Sequence, residues 1–203
     1  MAQVVTPPRQ SHIECAMSVE NAAPVLLRAH PSTPHDAVRS LQVRVSIRDA
    51  DILALDYCLQ GDTSRLLIPA QRTPRRADEL WKHTCFEAFV VTDDSPGYYE
   101  LNFSPSGDWA AYRFSAYRTG SVPADGIGVP TARVELGASE LRLQSAIAIE
   151  AIRQALQPPR VLRIALAAVI EARDGTLSYW AHNHPPGKPD FHHPDAFAFQ
   201  MTP

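Results

Sequence analysis

Of 203 residues, 45% are hydrophobic and 20% charged, an ordinary globular balance with enough apolar material for one sizeable core. A formal net charge of −3 and a pI near 6.2 offer no basic surface for a phosphate backbone, which argues against nucleic acid as a partner. The N-terminal stretch MAQVVTPPRQSHIECAMSVE lacks the roughly 7 to 15-residue apolar stretch of a signal peptide, and no run approaches about 18 consecutive apolar residues; no membrane span is expected, and the chain reads as cytoplasmic.

In chain order, short apolar runs with two-residue alternation predict strands at 25–29, 41–47, 51–59, 85–91, 98–103, 109–115, 132–136, 141–149, 161–172, 177–182 and 196–201. Each is bounded by Gly, Pro, Asp or Ser, and the 18 prolines avoid the middle of the apolar runs. VLRIALAAVI within 161–172 is apolar on both faces, as a central strand buried on both sides would be. RRADELWKH reads as a short turn or helix before a strand. EAIRQALQPP, 150–159, holds one helical turn stopped by prolines, and SVPADGIGVP, 121–130, reads as a long connecting loop. The class expected is all-β: an antiparallel two-sheet β-sandwich, jelly-roll or immunoglobulin-like, of ten to eleven strands with one short helix. A single domain over 1–203 is expected, with 1–20 as a poorly packed extension. Cys15, Cys58 and Cys85 are odd in number and widely spaced, so reduced, isolated thiols are expected.

HNHPPGKPDFHHPD, residues 182–195, raises a metal site. His182 and His184 stand two apart, so an extended backbone sends both rings to one face, and Asp195 can return through a Pro/Gly-rich loop as a third ligand. This run resembles the JAMM signature of zinc-dependent JAB/MPN-type metalloproteases. The context argues against it, because His192 stands where that motif has serine and little chain follows Asp195. A turn that orders the last strand is the simpler expectation.

ELWKHTCFEAFV, YYELNFSPSGDWAAYRFSAYR and LSYWA with PGKPDFHHPDAFAF carry a further likeness. Together they resemble family 9 carbohydrate-binding modules and the wider DOMON-like group of β-sandwiches, over about residues 80 to 200. The resemblance implies a jelly-roll-like sandwich that binds a sugar or, in some DOMON domains, haem. It assigns the aromatic plates to Trp81 and Trp180 and a ligand carboxylate to Glu87.

Strand physics adds to that assignment. Glu87 lies in an otherwise apolar strand, and a buried carboxylate there needs a hydrogen-bond donor. Alternation sets Glu100 with Asn102 and Trp109 with Arg113. If one sheet face gathers Glu87, Asn102 and Arg113 beside the tryptophans, it offers apolar plates and directional polar groups to a sugar. The expectation is therefore a non-catalytic pocket of Trp81, Glu87, Asn102, Arg113 and Trp180 for a saccharide or sugar-like metabolite, needing no cofactor. No nucleophile elbow, phosphate loop or dinucleotide fingerprint is present. Glu87 with Glu100 is the one carboxylate pair suited to glycoside hydrolysis, its separation open at this stage. Two alternatives remain. Haem would rest on His83 or His182, with Met1, Met17 and Met201 near the termini; a protein-interaction scaffold would take no small ligand.

Overall fold

A computed structural model describes residues 22–49, 51–92, 96–155 and 161–201. The expected N-terminal extension, Cys15, Met1 and Met17 lie outside them. Twelve strands occur among the described residues: β1 Val25–Ala29, β2 Val38–Arg48, β3 Ile52–Gly61, β4 Cys85–Thr92, β5 Tyr98–Phe103, β6 Trp109–Phe114, β7 Val122–Pro123, β8 Thr131–Leu136, β9 Glu140–Ala148, β10 Leu162–Glu171, β11 Leu177–Ala181 and β12 Phe199–Met201. The single α-helix among them is α1, Glu150–Ala155. All eleven expected strands have counterparts. The two-residue β7 lies inside the stretch read as a loop, and the segment expected as a strand from 196 opens instead with a 3-10 turn over Pro194–Ala196.

Every strand pairs antiparallel with its neighbours, in the order β7-β6-β5-β4-β10-β11-β1-β2-β3-β9-β8, while β12 pairs with the start of β10. The expected two separate sheets are corrected here to one continuous curled sheet. The reason is β1, whose Val25 to Leu27 pair with β2 while Arg28 and Ala29 pair with β11, so one strand belongs to both halves. The halves fold toward each other around a shared core. Leu53, Leu55, Tyr57, Leu141 and Leu143 of one half meet Phe86, Ala88, Leu101 and Ile164 of the other in a single buried cluster. Tyr57 spans it, its ring 4.9 Å from Phe86 and its hydroxyl donating to the Glu87 carbonyl at 2.8 Å. Each fully buried leucine contributes about 1.5–3 kcal/mol by leaving water.

Alternation in the β4–β5–β6–β10–β11 half leaves a second face, outside this core. There Phe89, Tyr98, Phe114, Ala165, Ala167, Val169 and Ala181 form a separate apolar cluster with Phe191, Ala196 and Phe197 of the segment that follows β11. That segment lies across the outer face, which is why β10 is buried on both sides as its sequence predicts. No helix among the described residues is long and apolar enough to cross a membrane.

Candidate functional site

The outer face is not covered completely. Between the 188–192 segment, β7 and the 78–81 segment it leaves a cavity of about 810 Å³. Side-chain size explains the opening. In the row that crosses β11, β10, β4, β5 and β6, Ala181, Ala167 and Ala110 flank Glu87 and Asn102, so the carboxylate and amide stand among methyl groups. The adjacent row runs Ala165, Phe89, Glu100, Tyr112, Pro123 and sets a second carboxyl on the same wall.

Glu87 is only 2% exposed, and its Oε1 has no hydrogen-bond partner among the described residues. Asn102, fully buried, donates Nδ2–H to Glu100 Oε1 at 2.7 Å and leaves its own Oδ1 unpartnered. Burial, and then the neighbouring Glu100, push the Glu87 carboxyl well above the usual carboxylate range. Burial also raises Glu100, against the Asn102 hydrogen bond and the field of Arg118. His192 hangs over this pair. Its Nε2 is 3.9 Å from Glu100 Oε2, its Nδ1 is 2.7 Å from the Tyr98 hydroxyl, and its ring meets Phe89 and Phe114 edge-on at 4.9 and 5.2 Å. Burial, helped by the charge of Arg118, depresses its pKa to about 4, so it is neutral at physiological pH.

The rim is held by a chain of side-chain clamps. Asp108 is buried at the β5–β6 turn, accepts from Arg72 and lies 3.8 Å from Arg75. Arg76 donates to the Ala111 carbonyl and stacks over Trp109 at 5.6 Å, and the Tyr112 hydroxyl donates to Asp78 at 2.7 Å. The three arginines thus tie residues 72–78 along β6. They deliver Trp81 to the mouth, on a 3-10 turn over Leu80–Lys82. Glu79 before it has φ 60°, and Arg118 across the mouth has φ 51°. Two of the three non-glycine residues with left-handed backbone among those described therefore line this cavity, the kind of local strain that collects at ligand sites.

The expected site residues separate into three groups. Glu87 stands on the floor, with Asn102 paired across from it and fully buried behind the cavity wall, and Trp81, 46% exposed, stands at the rim. Trp180 does not join them. It is 6% exposed, on the inner face of β11 in the main core, its indole N–H donating to Ser178 Oγ at 3.0 Å. Arg113 does not join them either. Its register opposite Tyr99 sets it on the face of Trp109 and Ala111, away from Glu87, where it is exposed. The facing pair of tryptophan plates is therefore absent, and the aromatic lining is supplied by Tyr179, Phe114, Phe191 and Tyr112. Glu100 was within reach of the alternation rule, which sets it with Asn102. His192, Phe191 and Arg118 sit in turns without periodicity, and nothing local marked them.

The histidine-rich run does structural work. His182 Nδ1 contacts the Leu26 carbonyl at 3.4 Å and His184 Nε2 bonds the Arg28 carbonyl at 2.8 Å, so both rings dock on β1. Asp195 lies beside His193 instead, at 3.7 Å. No group of three His, Cys, Asp or Glu side chains among the described residues is arranged to hold a metal ion. Of the haem candidates, His83 is held by Glu171 at 2.8 Å, and neither it nor His182 lines the cavity. Met201 packs against the main core. Cys58 and Cys85 are buried free thiols.

No protein-family model and no curated protein sequence matches the chain. Among solved structures, a crystal structure of a protein from Bacteroides uniformis, provisionally described as carbohydrate-binding, matches with a TM-score of 0.65 and 14% sequence identity, over 89% of this chain and 86% of that one. At that identity the likeness is one of fold.

Proposed function

We propose that this protein is a non-catalytic ligand-binding domain whose outer-face cavity takes a saccharide or a sugar-like metabolite. The observation that carries the reading is the buried carboxyl of Glu87, its Oε1 without a partner among the described residues, on the wall of a cavity edged by Trp81 and lined with aromatic rings. An orphaned buried polar atom costs about 1–3 kcal/mol, and a ligand hydroxyl can relieve that cost. Sugars present hydroxyl donors around a ring whose C–H faces stack on aromatic groups, so they match both halves of the lining. The shared fold with a protein provisionally described as carbohydrate-binding agrees with this reading.

A binding role is favoured over glycoside hydrolysis by the position of the carboxyls. Glu87 and Glu100 project from the same wall of the cavity, on adjacent strands of one sheet face. The acid and nucleophile of a glycosidase flank the scissile bond from two sides.

Calorimetric titration of a panel of neutral and substituted monosaccharides tests the proposal. Saturable micromolar-to-millimolar binding by at least one of them, weakened in Trp81→Ala, supports it. A panel without binders leaves an interaction scaffold as the role. Turnover of chromogenic glycosides abolished by Glu87→Gln replaces the binding role with an enzymatic one.

A further inference from the structure

The same wall also indicates which kind of saccharide it suits, an inference that rests on the reading above. Four carboxyl side chains, Asp78, Glu79, Glu87 and Glu100, and two cationic ones, Arg118 and Lys188, line the cavity. Several of them are already engaged. Arg118 is paired with Asp190 at 2.7 Å, Glu79 with Lys82 at 2.6 Å, and Asp78 accepts from the neutral Tyr112 hydroxyl. What faces the floor is two buried carboxyls. The groups around Glu87 are Cys85 on its own strand, Glu100 and Asn102 on β5, small or apolar side chains on β10, and the neutral His192 above. Among the described residues no cation lies within ion-pairing distance of Glu87, while Glu100 has His192 at 3.9 Å and feels the field of Arg118.

We propose that the ligand of this cavity is an amino sugar, its protonated amine seated against Glu87 and Glu100 while its ring and hydroxyls occupy the space below Trp81. A hydroxyl brings one donor, whereas an ammonium brings three donors and no acceptor. Two carboxyl groups on this wall can receive it: Glu87, whose Oε1 has no partner among the described residues, and Glu100, which accepts the Asn102 amide hydrogen on Oε1. An ammonium also supplies the charge that a buried carboxyl pair lacks, and hydrogen bonds between ionised groups are about twice as strong as neutral ones. Burial pushes the Glu87 carboxyl toward its protonated form, so a cation seated beside it favours release of that proton.

The experiment compares 2-amino-2-deoxyglucose, its N-acetyl derivative, glucose and cyclohexylamine by calorimetry, about one unit below the sugar amine's pKa, in two buffers of different ionisation enthalpy. The expected result is binding of the amino sugar at least tenfold tighter than glucose. Up to one proton is released per molecule bound, and the preference is lost in Glu87→Gln. Proton release is read on the unsubstituted protein, so the test does not depend on that variant folding. Equal binding of glucose, the N-acetyl sugar and the amino sugar without proton release overturns the amine inference and leaves the saccharide reading standing. Cyclohexylamine binding as tightly as the amino sugar, with glucose inert, keeps the ammonium site and overturns the saccharide reading. Binding by none of the four overturns both.

Discussion

Glu87 on β4 stands directly opposite Asn102 on β5, yet Asn102 gives its amide hydrogen to Glu100 and leaves Glu87 Oε1 without a partner. A register that sets a carboxyl beside an amide without bonding them puts a cost into the fold that a ligand or a proton can relieve.

That cost is readable as pH-dependent stability. The folded-state pKa of Glu87 is raised above its unfolded value, so the folded protein holds a proton that the unfolded chain gives up above about pH 4.5. Stability is then fully present below that pH and declines as pH rises toward the folded pKa. Glu87→Gln removes the titration and offers an amide hydrogen to Asn102 Oδ1. The variant is expected to be more stable than the parent by about 1–3 kcal/mol above neutrality, the scale of a buried polar group relieved. The difference should shrink toward pH 5, as checked by urea denaturation from pH 5 to 9.

His192 has the opposite sign. Its pKa is depressed to about 4 from the ordinary 6.5 of an imidazole, so between those values the unfolded chain binds the extra proton. Stability from this group is present above about 6.5 and lost as pH falls toward 4. An imidazole resonance titrating near 4 in NMR spectra, and removal of this acid-side slope by His192→Phe, are the expected results.

Trp81 and Trp180 are expected to diverge. Trp81→Ala removes an exposed ring and should leave stability within about 0.5 kcal/mol, while saccharide affinity drops about tenfold. Trp180→Ala removes a ring from the main core and should cost about 3–5 kcal/mol in guanidinium denaturation.

This divergence also marks where the sequence was legible. The strands were, because apolar alternation records which strands have one buried face, and the apolar run of β10 records burial on both. Glu87 and Asn102 were legible for the same reason, since polar residues inside such strands demand partners. Which face a strand turns to which neighbour depends on register, a pairing between distant segments that no local pattern carries. Tyr99 opposite Arg113 and Ala168 opposite Trp180 set Arg113 and Trp180 on the faces away from Glu87. The curled single sheet depends likewise on β1 bonding to two neighbours at once. The 188–192 segment that roofs the cavity has no periodicity at all, and the histidines on either side of it drew attention to metal chemistry instead of to cover.

The most direct test of the binding site uses the three tryptophans as reporters. Their indole N–H resonances form three separate NMR probes: Trp81 at the cavity mouth, Trp109 and Trp180 in the core. Titration with a saccharide that binds in calorimetry should shift the Trp81 indole resonance saturably and leave those of Trp109 and Trp180 in place. Saturable binding that leaves Trp81 unmoved would contradict the account, because the ligand would then occupy some other surface.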